Sequence, residues 1–96
     1  MNFFKKKIHT IKNLFPKLIT KKNIKINDIN TLEKSKKNDL TFFDSAKYKK
    51  NAMKTKASFC ITTDKLKFFL PSSVEVIIVK NVLYELARVL DKIYPN

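Results

Sequence analysis

Ninety-six residues, 44% of them apolar and 30% charged, suit one globular domain with one core and leave no room for a second. Twenty-one basic residues against eight acidic ones give a net charge of +13, which points first to an anionic partner such as nucleic acid, anionic lipid or a phosphorylated ligand. Glycine is absent, which excludes phosphate-cradling loops and dinucleotide-binding turns, because both need backbone at positive φ close to a phosphate.

In chain order, Phe4, Ile8, Ile11 and Phe15 recur at helical spacing and predict an amphipathic helix over residues 3–15, stopped or bent at Pro16. Residues 17–23 read as a lysine-rich connector. Residues 1–22 are thus a basic helix and connector, and 23–96 the main domain. Ile24, Ile26 and Ile29 suggest a short strand. Asn30 or Thr31 can cap a helical turn, with Glu33 near its positive end. Lys36-Lys37-Asn38-Asp39 has turn chemistry and leads into the apolar strand Leu40 to Phe43.

Residues 45–56 are polar and helix-prone, with Tyr48, Ala52 and Met53 along one side. Residues 57–62 form a buried-strand candidate, and residues 64–70 a brief helix before Pro71. The nearly unbroken apolar run Val74 to Val79 predicts a central strand covered on both faces. Asn81 caps a last helix, in which Leu83, Leu86, Ala87, Leu90, Ile93 and Tyr94 share a face while Glu85, Arg88 and Lys92 face away. Strands and helices alternate. The fold class is therefore α/β: a small single domain with a mixed or partly parallel sheet flanked by helices.

Little in the chain supports catalysis. Cys60 is the only cysteine and sits in an apolar run, so neither an internal disulfide nor a paired-cysteine metal site can form. His9 is the only histidine and has no carboxylate or cysteine near it in sequence, and no serine has a partner for a triad. No catalytic residue, metal ligand or cofactor is expected. No apolar run approaches the ~20 residues that span a bilayer, and no signal-peptide core is present, which suggests a cytoplasmic location. Because Arg88 is the sole arginine and lysine is spread over the whole chain, the charge is weak evidence for specific phosphate recognition.

One stretch offers binding chemistry: Asn38-Asp-Leu-Thr-Phe-Phe-Asp-Ser-Ala-Lys-Tyr48. Phe42, Ser45 and Tyr48 fall three residues apart, and two aromatic rings with a hydroxyl can receive a planar base. Phe42 and Phe43 are neighbours on a strand and point to opposite faces, so one can fill the core while the other stays available. Lys47 could neutralise a ligand phosphate.

Together with Thr31-Leu-Glu-Lys-Ser35, Thr55-Lys-Ala-Ser58, Val79-Lys-Asn81, Tyr84 and Ala87-Arg88, this stretch resembles the N-terminal domain of UDP-3-O-(3-hydroxyacyl)glucosamine N-acyltransferase, of bacterial lipid A biosynthesis. The likeness spans about Ile24 to Pro95. It implies a small uridine-binding α/β domain related to the N-terminal domain of certain muramyl-peptide ligases, with uracil stacked between Phe42 and Tyr48. Ser45 stands where the family usually has asparagine, which shortens the reach toward the base. Val82 stands where proline is usual.

In the family, catalysis resides in a following β-helix of hexapeptide repeats that carry glycine and the catalytic histidine. The resemblance therefore implies a truncated or split recognition domain that binds a UDP-sugar. It would be monomeric without the repeats, and would meet a separately encoded repeat domain and, through that domain alone, acyl carrier protein. No nucleic acid partner is expected on this reading. Two alternatives stand beside it: a basic domain that binds single-stranded nucleic acid with the same aromatics, and a peripheral membrane domain anchored by the first helix.

Overall fold

The computed structural model describes residues 6–95. Its centre is a three-stranded, all-parallel sheet of β1 (Leu40–Phe43), β2 (Phe59–Thr62) and β3 (Glu75–Ile78), in that spatial order. Leu40 pairs with Phe59 and Phe59 with Glu75, and the register continues to Phe43, Thr62 and Ile78. Three helices accompany it: α1 (Ile11–Leu14), α2 (Lys49–Lys54) and α3 (Val82–Ile93). Two 3-10 turns, Ala46–Tyr48 and Lys67–Phe69, lie in the crossovers. The α/β class expected from the sequence is the class observed, with the sheet wholly parallel.

The alternation of side chains along each strand divides the core in two. On one face, Leu40, Phe59, Ile61 and Ile77 pack with Ile11, Leu14 and Phe15 of the N-terminal segment and with Val82, Val89 and Ile93 of α3. On the other, Phe43 and Cys60 pack with Leu32, Ala52 of α2 and Val74, and Leu66, Phe69 and Leu70 close over them. A parallel sheet covered on both faces is the arrangement that crossover connections produce.

Several local expectations are corrected. The strand buried throughout is β2, whereas β3 lies at the sheet edge with Ile78 45% exposed. Apolar content alone therefore misplaced the centre. The short run Phe-Cys-Ile-Thr takes it because it pairs on both sides.

The expected strand at residues 23–29 is reduced to two isolated bridges, Thr10 with Lys25 and Ile29 with Leu40. The expected first helix is one turn, Ile11–Leu14, capped by Thr10 Oγ1, which accepts from Asn13 N. Residues 6–10 are not helical because their backbone is engaged elsewhere: Lys7 N donates to Ile93 O, and His9 O accepts from Ile26 N. Residues 3–5 of that expected helix lie outside the described residues. The expected brief helix before Pro71 forms as the second 3-10 turn, and Asn81 caps α3 by accepting from Tyr84 N.

α3 is rotated relative to the face read from the sequence. Val82, Val89 and Ile93 are buried, while Leu83 and Leu90 are exposed. Arg88 does not face away. Its Nη2 donates to Leu14 O at 2.9 Å, its Nε meets Glu85 Oε1 at 2.8 Å, and its guanidinium lies 5.0 Å from the Phe15 ring centroid. A long side chain with a planar cationic head thus cements α3 to the N-terminal segment.

Candidate functional site

The site is built at the carboxyl end of β1, the end where parallel sheets commonly receive ligands. The turn before β1 depends on Asn38, whose φ of 72° is the only positive φ among the described residues. Asparagine tolerates that left-handed conformation better than other side chains with a β-carbon. Asp39 then anchors the strand's start. Its buried carboxylate accepts from Asn30 Nδ2 at 3.0 Å and Lys36 N at 2.9 Å, tying the 30–36 segment alongside β1. Thr55 Oγ1 donates to Leu32 O at 2.7 Å and holds the same segment to the end of α2.

Between these elements lies a cavity of about 330 Å3, lined by Thr31, Leu32, Glu33, Phe42, Phe43, Asp44 and Tyr48. Phe42 and Tyr48 therefore share one cavity. Phe42 is half-buried against the α3-side core, and Tyr48, at the end of the first 3-10 turn, is 47% exposed. Phe43 also reaches the lining but is committed to the other core, with its ring edge-on to Phe69 at 6.1 Å between centroids.

Ser45 and Lys47 are not among the lining residues. Ser45 is the N-cap of the 3-10 turn, its Oγ accepting from Lys47 N at 3.3 Å. The hydroxyl proton of Ser45 remains available to donate. The Lys47 ammonium lies 5.7 Å from the Tyr48 ring centroid, a cation–π distance. Met53, expected beside Tyr48 and Ala52, is exposed, and only Ala52 of that side is buried.

Reading the aromatic stretch alone missed Thr31, Leu32, Glu33 and Asp44 as lining residues. Glu33 lies below the usual glutamate range, chiefly because Thr31 donates its side-chain hydrogen bond, with Asn51 and Lys34 acting in the same direction against partial desolvation. Asn51 Nδ2 donates to Glu33 Oε2 at 2.9 Å. The cavity thus combines two aromatic rings with acceptors at its mouth, which suits an uncharged planar group with polar edges better than an anion.

Residues 23–92 match the family model of UDP-3-O-(3-hydroxymyristoyl) glucosamine N-acyltransferase, LpxD. The chain belongs to this family. The match covers β1, the cavity and all three strands, and leaves the first 22 residues outside. No curated protein matched the chain. LpxD membership makes it a domain related to the acyltransferase of the lipid A pathway, and the family's substrate is a UDP-sugar. No helix among the described residues is long and apolar enough to cross a membrane, and none of their His, Cys, Asp and Glu side chains cluster to hold a metal ion.

Proposed function

We propose that this domain recognises the uridine end of a UDP-sugar, with uracil stacked between Phe42 and Tyr48. The observation that carries the proposal is the shared cavity of these two rings inside the LpxD-matched region. Its ~330 Å3 is near the lower end of small-molecule sites, which run from about 300 to 1,000 Å3. That is room for one base, with ribose, diphosphate and sugar outside. Stacking of a base on aromatic rings contributes roughly 1–3 kcal/mol per base.

In this reading residues 23–96 form the recognition domain, and the acyl transfer takes place on a hexapeptide-repeat domain of the kind the family carries. Acyl carrier protein would approach that domain and not this one. Ser45 supplies a hydroxyl donor toward the base only if its side chain turns from its capping position, and Lys47, whose ammonium lies 5.7 Å from the Tyr48 ring centroid, supplies a charge for the diphosphate.

Calorimetric titration with UDP-N-acetylglucosamine, UMP and a single-stranded oligonucleotide at two salt concentrations tests the proposal. Uridine binding should appear for both nucleotides and weaken only modestly with salt. An oligonucleotide affinity that exceeds theirs and collapses with salt, as counterion release requires, would favour a nucleic-acid binder instead.

A further inference from the structure

The charge of the chain is segregated. Residues 1–27 hold eight lysines and no aspartate or glutamate, whereas residues 28–96 hold thirteen basic and all eight acidic residues. Most of the acid-free segment precedes the LpxD match. Its described lysines, Lys6, Lys7, Lys12, Lys17, Lys21, Lys22 and Lys25, are all exposed. The only ion pairs among the described residues are Lys67–Asp64 and Arg88–Glu85, so none of these seven is paired with a carboxylate of another described residue.

Within this segment the loop 16–22 presents an isoleucine to solvent. Ile19 is 96% exposed, the highest value for a large apolar side chain in the described chain. The loop is nonetheless built. Leu18 packs against the core and its N–H donates to Phe15 O at 3.0 Å, and Lys22 N donates to Thr20 Oγ1 at 3.0 Å. Ile19 is held outward between two anchored flanks.

Beside it runs a groove of about 550 Å3, whose apolar lining includes Leu18, Ile19, Ile77, Ile78 and Val79. Lys17 lies at the groove, and Lys21 and Lys22 follow Ile19 in the loop. Glu85 and Arg88 also line the groove but neutralise each other at 2.8 Å, which leaves the unpaired charge beside Ile19 basic, and an exposed apolar patch so edged marks an interaction surface. An isoleucine adds nothing to phosphate contacts along a nucleic acid, but it gains by leaving water for the headgroup–acyl boundary of a bilayer. Lysines beside it are drawn to an anionic leaflet over a Debye length.

We propose that the loop 16–22 and its groove dock on an anionic lipid surface, with Ile19 entering the headgroup boundary and Lys17, Lys21 and Lys22 held at the charged surface. The anchor is this loop and not an amphipathic first helix, which is only one turn long. The proposal stands apart from uridine recognition, since the groove and the aromatic cavity share no lining residue.

Vesicle co-sedimentation of the full chain, with phosphatidylcholine alone and with phosphatidylcholine mixed with phosphatidylglycerol, tests it. Binding is expected only to the anionic vesicles. Ile19→Glu should weaken it about tenfold or more, and the triple change Lys17→Glu, Lys21→Glu, Lys22→Glu should abolish it. An equal charge change on α2, Lys49→Glu, Lys50→Glu and Lys54→Glu, should leave most of it. Circular dichroism melting of each variant confirms the fold, which Ile19 and these exposed lysines do not support. Indifference to Ile19→Glu, equal loss in the α2 variant, binding to neutral vesicles alone, no vesicle binding, or displacement from vesicles by an equimolar oligonucleotide would each overturn the proposal.

Discussion

Phe43 meets Phe69 edge to face, with ring centroids 6.1 Å apart and planes at 83°. That contact commits Phe43 to the core beneath α2, while its neighbour Phe42 packs on the opposite side of the sheet and keeps part of its ring at the cavity. Phe43→Ala should therefore cost about 3–5 kcal/mol of stability, the usual penalty for emptying a buried phenylalanine site. Phe42→Ala should cost about 1–2 kcal/mol, and Tyr48→Ala close to nothing because that ring is half in water. Urea denaturation of the three variants checks the order.

Tyr94 joins the end of α3 to the segment before β1. Its hydroxyl donates to Asp28 Oδ1 at 2.5 Å, and that bond, with burial and the carboxylate charge, raises its pKa from 10.0 to about 12. Tyr94→Phe should lose about 1–2 kcal/mol at neutral pH. The sign of the pH dependence follows from the raised value: the folded state holds the phenolic proton more tightly than the unfolded one. The contribution is complete below pH 10 and disappears between pH 10 and about 12. The stability gap between the native chain and Tyr94→Phe should close over that interval in denaturation series at stepped pH.

Ser45 caps the 3-10 turn that carries Tyr48. Ser45→Ala should cost about 1 kcal/mol and speed hydrogen exchange at the Lys47 amide, whereas Ser45→Asn should keep both near native values, since asparagine caps as well as serine. If Ser45→Asn also tightens uridine binding, the longer side chain is reaching the base.

The α/β class was legible because alternating apolar runs and a capped terminal helix need only local pattern. The ranking of strands was not. Val74 to Val79 is richer in apolar residues than Phe59 to Thr62, yet centrality is set by pairing on both sides, a non-local fact. The rotation of α3 escaped for a related reason. Arg88 reads as a solvent-facing cation, but a carbonyl at Leu14 and a ring at Phe15, more than 70 residues away in sequence, draw it inward and turn Leu83 and Leu90 outward. At the site, the spacing of Phe42 and Tyr48 was enough to bring them to one cavity. The contribution of Thr31 to Glu33 depends on the Asp39 and Thr55 hydrogen bonds that fold that segment against β1, and no periodicity announces those.

The most direct test of the account is proton NMR of UMP titrated with the chain, following the uracil H5 and H6 resonances. A base stacked between the faces of Phe42 and Tyr48 lies in the shielding region of both rings. Both resonances should therefore move upfield on binding, by clearly less with Phe42→Ala or Tyr48→Ala, and not at all with the double variant. Saturable UMP binding with no upfield movement, or with the same movement in the double variant, would contradict uracil stacking in this cavity.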